Sequence, residues 1–155
     1  MRIRAVAGLV TAGALALTTA VATGTAAEAK ERPCGRPVMT SGTGSQGTPW
    51  TLKSQYDDDG TPPNRLVAGE EFEINTEAAG QRWSVSFTDN GTEFFRNDND
   101  ISTADGIREV HPNPVARGNP NHMAVHAVRK DAAGNVIEVI DGAVDLAPPP
   151  ARCAR

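Results

Sequence analysis

Only two cysteines and three histidines occur in the 155 residues. Neither Cys34 nor Cys153 has a second Cys or a His beside it, which argues against structural zinc sites and redox-active dithiols, since both need such spacings. Cations are also in short supply: 15 Lys and Arg face 19 Asp and Glu, for a formal net charge of −4. Neutralising phosphates takes a clustered basic face, so nucleic acid and anionic membranes are poor partners for this chain. No segment of ten or more residues carries an apolar stripe at helical spacing. Catalytic signatures are missing too. Thr43-Gly44-Ser45-Gln46-Gly47 superficially matches a nucleophile elbow, but Thr43 stands where the first Gly belongs and no strand is read before it. Nothing singles out one carboxylate pair for glycoside hydrolysis. The sequence therefore reads as that of a non-enzymatic protein.

What is present begins with an export signal. Arg2 and Arg4 precede an uncharged run from Ala5 to Ala22, and Ala27-Glu28-Ala29 offers small residues at both positions a signal peptidase inspects. This layout predicts a secretory signal peptide over residues 1–29. Thr11, Gly13, Thr18 and Thr19 dilute the apolar run, which falls short of the roughly 20 apolar residues of a membrane-spanning helix. Removing Arg2, Arg4 and Glu28 leaves thirteen basic and eighteen acidic residues, a net of about −5 with His neutral. Such acidity favours solubility. In an oxidising compartment the lone pair Cys34 and Cys153 is expected to form a disulfide. Closing a loop of that length contributes roughly 4–5 kcal/mol in the chain-entropy picture.

The exported chain divides by composition. Residues 30–49 form a flexible leader rich in Gly, Ser, Thr and Pro, and residues 147–155 a stiff Pro-rich tail closed by the disulfide. Between them, residues 50–146 show period-two patterning. Trp50, Leu52, Ser54 and Tyr56 alternate with polar neighbours, as do Phe72 and Ile74, and Trp83, Val85 and Phe87. Asn90-Gly91 lies between strand-like runs, a strong hairpin signal that would set Phe87 opposite Phe94. Further strands are expected at Ile107–His111, His122–Lys130 and Val136–Leu146, the last two joined through Asp131–Asn135. The fold class is all-β: an immunoglobulin-like two-sheet sandwich of about seven antiparallel strands. Alternating strands leave the chain ends at opposite poles. For the two cysteines to meet, the leader must run back along the domain, which about 15 extended residues can do over roughly 50 Å.

Trp50-Thr51-Leu52-Lys53 with Tyr56-Asp57-Asp58-Asp59-Gly60, Gly80-Gln81-Arg82-Trp83 and Thr88-Asp89-Asn90-Gly91-Thr92 are the segments that carry a likeness. Through them the chain resembles small secreted actinobacterial proteins with one immunoglobulin-like β-sandwich domain and no established function. The resemblance implies fold and secretion and carries over no site residues.

Candidate sites are few. His122 and His126 would sit about 13 Å apart along a strand, too far to share an ion, and His111 reads as a rim histidine. Oxygen ligands cluster at Asp57-Asp58-Asp59-Gly60 and at Asn97-Asp98-Asn99-Asp100 with Asp105. Calcium is the one candidate cofactor, with Asp98, Asp100 and Asp105 as its better ligand set. The segment 112–121 contains three prolines with Val115, Ala116 and Arg117 at its centre. It is either a crossing between sheets or a stiffened contact loop. The leading reading is a secreted, monomeric binding or interaction module that meets an extracellular protein or cell-surface ligand through residues 97–106 and 112–121. The alternative is a serine-protease inhibitor presenting Arg117 from the Pro-braced loop.

Overall fold

The Asn90-Gly91 turn shows how local sequence sets this fold. Asn90 and Gly91 have φ of 49° and 79°, the paired left-handed conformation of a two-residue hairpin whose twist matches its strands. It joins β4 (Arg82–Asp89) to β5 (Thr92–Ile101). In this computed structural model, residues 34–58, 60–62 and 65–154 are described. The signal-peptide assignment, the start of the leader and Asp59 lie outside them. The remaining strands are β1 (Val38–Thr43), β2 (Pro49–Asp57), β3 (Val67–Ile74), β6 (Ile107–Pro114), β7 (Asn121–Lys130) and β8 (Val136–Leu146), followed by a 3-10 turn at Ala151–Ala154.

Two antiparallel sheets of four strands face each other, in the orders β1-β2-β3-β6 and β5-β4-β7-β8. Alternate residues of each strand meet between them. Leu52, Phe72 and Ile74 come from one sheet and Trp83, Val85, Phe87, Met123 and Ile140 from the other, all fully or almost fully buried. Phe72 and Phe87 touch edge-on across the interface, with ring centroids 6.4 Å apart. That geometry suits the aromatic quadrupole. Trp50 reaches over from β2 to lie against Gly142 of β8, where a Cβ would come within 2.7 Å of the indole.

Three expectations change. The strands number eight, because residues 38–43 of the leader form β1. Gly and Ser leave that segment without an apolar pattern, but an edge strand paired on one side needs backbone bonds rather than burial. Second, Phe87 lies opposite Phe95, not Phe94, because a bulge between Phe87 and Thr88 absorbs one residue of β5. Both rings consequently flank Phe87, at 6.0 Å for Phe94 and 5.2 Å for Phe95. Third, β1 does precede the Gly44-Ser45-Gln46-Gly47 turn, yet strand β2 follows it where a nucleophile elbow requires a helix.

The run-back of the leader is β1 itself. Antiparallel to β2 from Val38↔Ser54 to Thr43↔Pro49, it carries Cys34 to the far end of β2, where the Cys34 and Gly35 amides donate to Tyr56 O. Cys153 joins it there in a disulfide with a Cα–Cα separation of 4.8 Å. Tyr56 pins the same pole by donating its hydroxyl to Ala147 O at 2.9 Å and accepting from Asn121 Nδ2 at 2.7 Å. At the opposite pole the fully buried Glu138 accepts from Gln46 N, Thr48 N and Thr48 Oγ1 and pairs with Arg129. This carboxylate is satisfied on every side, and it fastens the β1–β2 turn to the second sheet.

Candidate functional site

Strand alternation also decides what the outer face of the first sheet offers. Lys53 and Gln55 on β2, Gly69 and Glu71 on β3, and Arg108, Val110 and Pro112 on β6 all point away from the core. Gly69 has no side chain, and an added Cβ would meet nothing closer than Gln55 O at 3.9 Å. A depression of about 550 Å³ therefore opens along the middle strand, reaching from Arg108 to Gly60 and Thr61. Its size lies within the range of ligand clefts. One end is ionic. Lys53 bonds to Glu71, and Arg108 Nε donates to Glu71 Oε1 at 2.9 Å and to Glu73 Oε1 at 3.1 Å. The hydrogen bond from Lys53, with Arg108 adding, holds the Glu71 carboxyl below the usual glutamate range against a smaller opposing effect of burial. Its middle is apolar, where Val110 stays nearly half exposed beside Pro112. Pro112 and Pro114 sit in β6, an edge strand of the sheet, where a missing amide on the open side costs no ladder bond and blunts the edge.

A second cluster joins the two sheets where β5 and β6 lie side by side. Glu109 Oε1 accepts from Asn97 Nδ2 at 3.0 Å and Glu109 Oε2 from His111 Nε2 at 2.8 Å. Asp100 lies beside them, close enough for its carboxyl and that of Glu109 to share a hydrogen bond when one is protonated. Burial, with Glu109 adding to it, pushes the Asp100 carboxyl up to about 6. Burial pushes Glu109 up as well, but its three hydrogen-bonding neighbours outweigh that and leave it low. The His111 ring stacks on Phe95 with centroids 3.4 Å apart. His111 is thus a clamp between sheets, as well as lying at the rim. On the neighbouring strands β3 and β4 sit Glu70, wholly buried, and the partly buried Asp89, whose Oδ2 accepts from Asn113 Nδ2 at 2.8 Å. Both Glu70 oxygens and Asp89 Oδ1 have no hydrogen-bonding partner among the described residues. Burial and the nearby Asp89 push the Glu70 carboxyl up to about 8.

No protein-family model, curated protein or solved structure matches the chain.

The residues expected from sequence fall in several places. Asp98 is exposed on β5, where it accepts from Ser84 Oγ at 3.0 Å and pairs with Arg96. Asp100 and Asp105 border one shallow cavity of about 650 Å³, and Asp98 does not. Among the described residues, no three His, Cys, Asp or Glu side chains are grouped to hold a metal ion. Residues 97–101 belong to β5 rather than to a loop, because Asn and Asp follow the ladder at this edge. The segment 112–121 is likewise shorter than expected. Pro112–Pro114 extend β6 and Asn121 opens β7, leaving 115–120 to cross between sheets. Val115 packs partly against the core and its amide donates to Leu66 O at 3.2 Å. Ala116 is exposed. Exposed Arg117 borders a small hollow with Leu66, Pro149 and Cys153. His122 and His126 stand on the outer face of β7, each bonded at 2.7 Å to an Asp of β8, Asp145 and Asp141.

Glu70, Asp89, Glu109 and the Gly69 groove escaped the sequence reading. Glu70 carried a faint signal. The period-two pattern of Ala68, Phe72 and Ile74 places it on the buried face, where a carboxylate is out of character.

Proposed function

We propose that the protein is exported and acts as a binding module on an immunoglobulin-like sandwich, taking its ligand along the outer face of β2, β3 and β6. The groove over Gly69 carries this reading. It combines an apolar strip, a fixed ionic end and exposed backbone on a rigid sheet, and the sheet needs no loop ordering before contact. Its length along β3 suits an extended protein segment or a cell-surface chain of similar width.

Several observations support the wider reading. A cysteine pair at bonding distance belongs to oxidising compartments, and among the described residues no helix is long and apolar enough to cross a membrane. Counted from β2, the first, second and fifth strands share one sheet, and the third, sixth and seventh share the other. Immunoglobulin domains distribute their strands this way, and β5 extends the second sheet where variable-type domains carry an added strand. Trp83, buried in the third of these strands under Arg129, occupies the position of the core tryptophan in such domains.

The test is a backbone-amide NMR titration of the mature domain with cell-wall glycan fragments and with extended peptides. Shifts concentrated at Lys53–Gln55, Gly69–Glu71 and Arg108–Pro112, and lost in Gly69→Trp, support the groove. Shifts gathered elsewhere refute it. A second reading, inhibition of trypsin-like or subtilisin-like proteases, is favoured by the exposed run 116–120 held at its base by Val115. Stoichiometric loss of trypsin activity, absent in Arg117→Ala, would establish that reading. Undiminished activity removes its trypsin-directed form.

A further inference from the structure

Where β4 begins and β7 turns toward β8, Arg82, Arg129 and Lys130 border one hollow of about 290 Å³. We infer that this hollow binds a single phosphate or sulfate group, free or as an ester. It belongs to the second sheet, apart from the groove over Gly69 on the first.

The charges on this face single the hollow out. On the outer side of the second sheet, His122 and His126 bond to Asp145 and Asp141, and Arg96 pairs with Glu93 and Asp98. Arg82 and Lys130 break that pattern. They stand directly opposite each other on β4 and β7, in a row completed by Ile101 and Val136. Neither has an ion pair or a side-chain hydrogen bond among the described residues. Like charges directly opposite each other in a sheet are destabilising. The carboxylates that could answer them are engaged. Asp98 is held by Ser84 and Arg96, and Asp131 accepts from Ala133 N, Asn135 N and Asn135 Nδ2 within its own loop. An anion between Arg82 and Lys130 turns their repulsion into attraction.

Arg129 brings an unmet donor to the same hollow. Its guanidinium is fixed, with Nη2 paired to Glu138 Oε2 at 3.2 Å and the group lying 5.9 Å over the Trp83 ring. Yet its Nε is buried without a hydrogen-bonding partner among the described residues, a costly state for a charged donor. Trp83 Nε1, which can only donate, selects Gln81 Oε1 as its acceptor at 3.3 Å. The Gln81 amide nitrogen is thereby left as a further donor on the lining. Three cations and one carboxylate on that lining favour a doubly charged, tetrahedral oxyanion, whose several oxygens can accept from guanidinium, ammonium and amide together. The volume falls just below the roughly 300–1,000 Å³ of clefts that enclose a drug-sized ligand. It therefore suits one anionic group, while the exposed Ile137 and Ala132 offer contact to an organic carrier.

The test titrates inorganic phosphate into the oxidised mature domain at pH 7, against sodium chloride at equal ionic strength, by amide and arginine side-chain NMR. An ion of so few atoms at an open site should bind at about 10⁻³ M, far from the ligand-efficiency ceiling. Expected are saturable shifts at residues 80–82 and 129–132 and a downfield move of the Arg129 Nε–H resonance. Arg82→Gln and Lys130→Gln, both at exposed positions, should each weaken binding about threefold to fivefold. Arg117→Gln, beside Cys153 at the other pole, should leave it unchanged. Sulfate should replace phosphate, and acetate should bind more weakly. Tighter binding of phenyl phosphate than of inorganic phosphate assigns the site to an ester, and equal binding to the free ion. Shifts reproduced by chloride, unchanged affinity in both variants, acetate binding as tight as phosphate, or an Arg129 Nε–H that does not move would each overturn the site.

Discussion

Glu70 makes the stability of this domain depend on pH in an unusual direction. Its carboxyl holds a proton up to about 8 in the folded chain, against an ordinary value of 4.5. Between those values the folded state binds more protons than the unfolded one, so stability falls as pH rises. The contribution is fully present below pH 4.5 and gone above 8. The whole shift corresponds to roughly 4–5 kcal/mol at about 1.4 kcal/mol per unit. Because Glu70 is wholly buried, solvent screening removes little of it, although relaxation of the core makes this an upper figure. The most selective window lies above Asp100, whose carboxyl titrates near 6 with the same sign. From pH 6 to 8, Glu70 alone should cost the wild type roughly 2–3 kcal/mol. Asp89, raised by burial, acts in the same sense at lower pH, whereas Glu71 and Glu109, both lowered, oppose it there. The assay is urea unfolding followed by tryptophan fluorescence at pH 6, 7 and 8, in chelator so that no cation competes with the proton. Glu70→Gln, neutral and nearly isosteric, should flatten the profile and exceed the wild type in stability at pH 8. Equal slopes in the two proteins would refute the assignment of this pH dependence to Glu70.

Other substitutions probe the frame. Replacing Cys34 and Cys153 by Ser should cost up to about 4–5 kcal/mol in the chain-entropy limit, read as the difference in urea midpoints. A loss below about 1 kcal/mol would mean that β1 and the Tyr56 pole restrain the ends without help. Gly142→Val should lose about 1–3 kcal/mol through overpacking, since even a Cβ there meets Trp50 at 2.7 Å. Calorimetry would detect that loss, and an unchanged midpoint would show that the indole can move aside. Glu138→Ala should release the Gln46 and Thr48 amides. Hydrogen exchange should then speed up in the β1–β2 turn more than in the core of β4, and uniform acceleration would contradict a local fastening role.

Much of the sandwich was legible because its strands are half-buried. Trp83, Val85 and Phe87 must alternate if one face is to be dry, and Asn90-Gly91 reverses the chain by its own backbone preferences. The Asp131–Asn135 loop followed the same logic, with Gly134 at φ 89° where a side chain would be strained. β1 was illegible for the complementary reason. Thr40, Ser41, Gly42 and Thr43 bury little, and their strand character comes from the β2 backbone they pair with. The offset of Phe94 and Phe95 was hidden as well, since a bulge leaves no mark in the composition of either strand.

For the sites the division is sharper. Sequence by itself determined the all-β class, most strand positions, the bonded ends implied by a lone cysteine pair, and the acidic surface. These follow from local periodicity, turn chemistry and counting. Only the tertiary structure decided that Gly69 floors a groove, that His111 and Asp100 converge on Glu109, and that Glu70 is buried between the sheets within reach of the Asp89 charge. Each of those arrangements joins residues from separate strands or sheets, and register and sheet packing bring them together at distances that sequence separation does not encode.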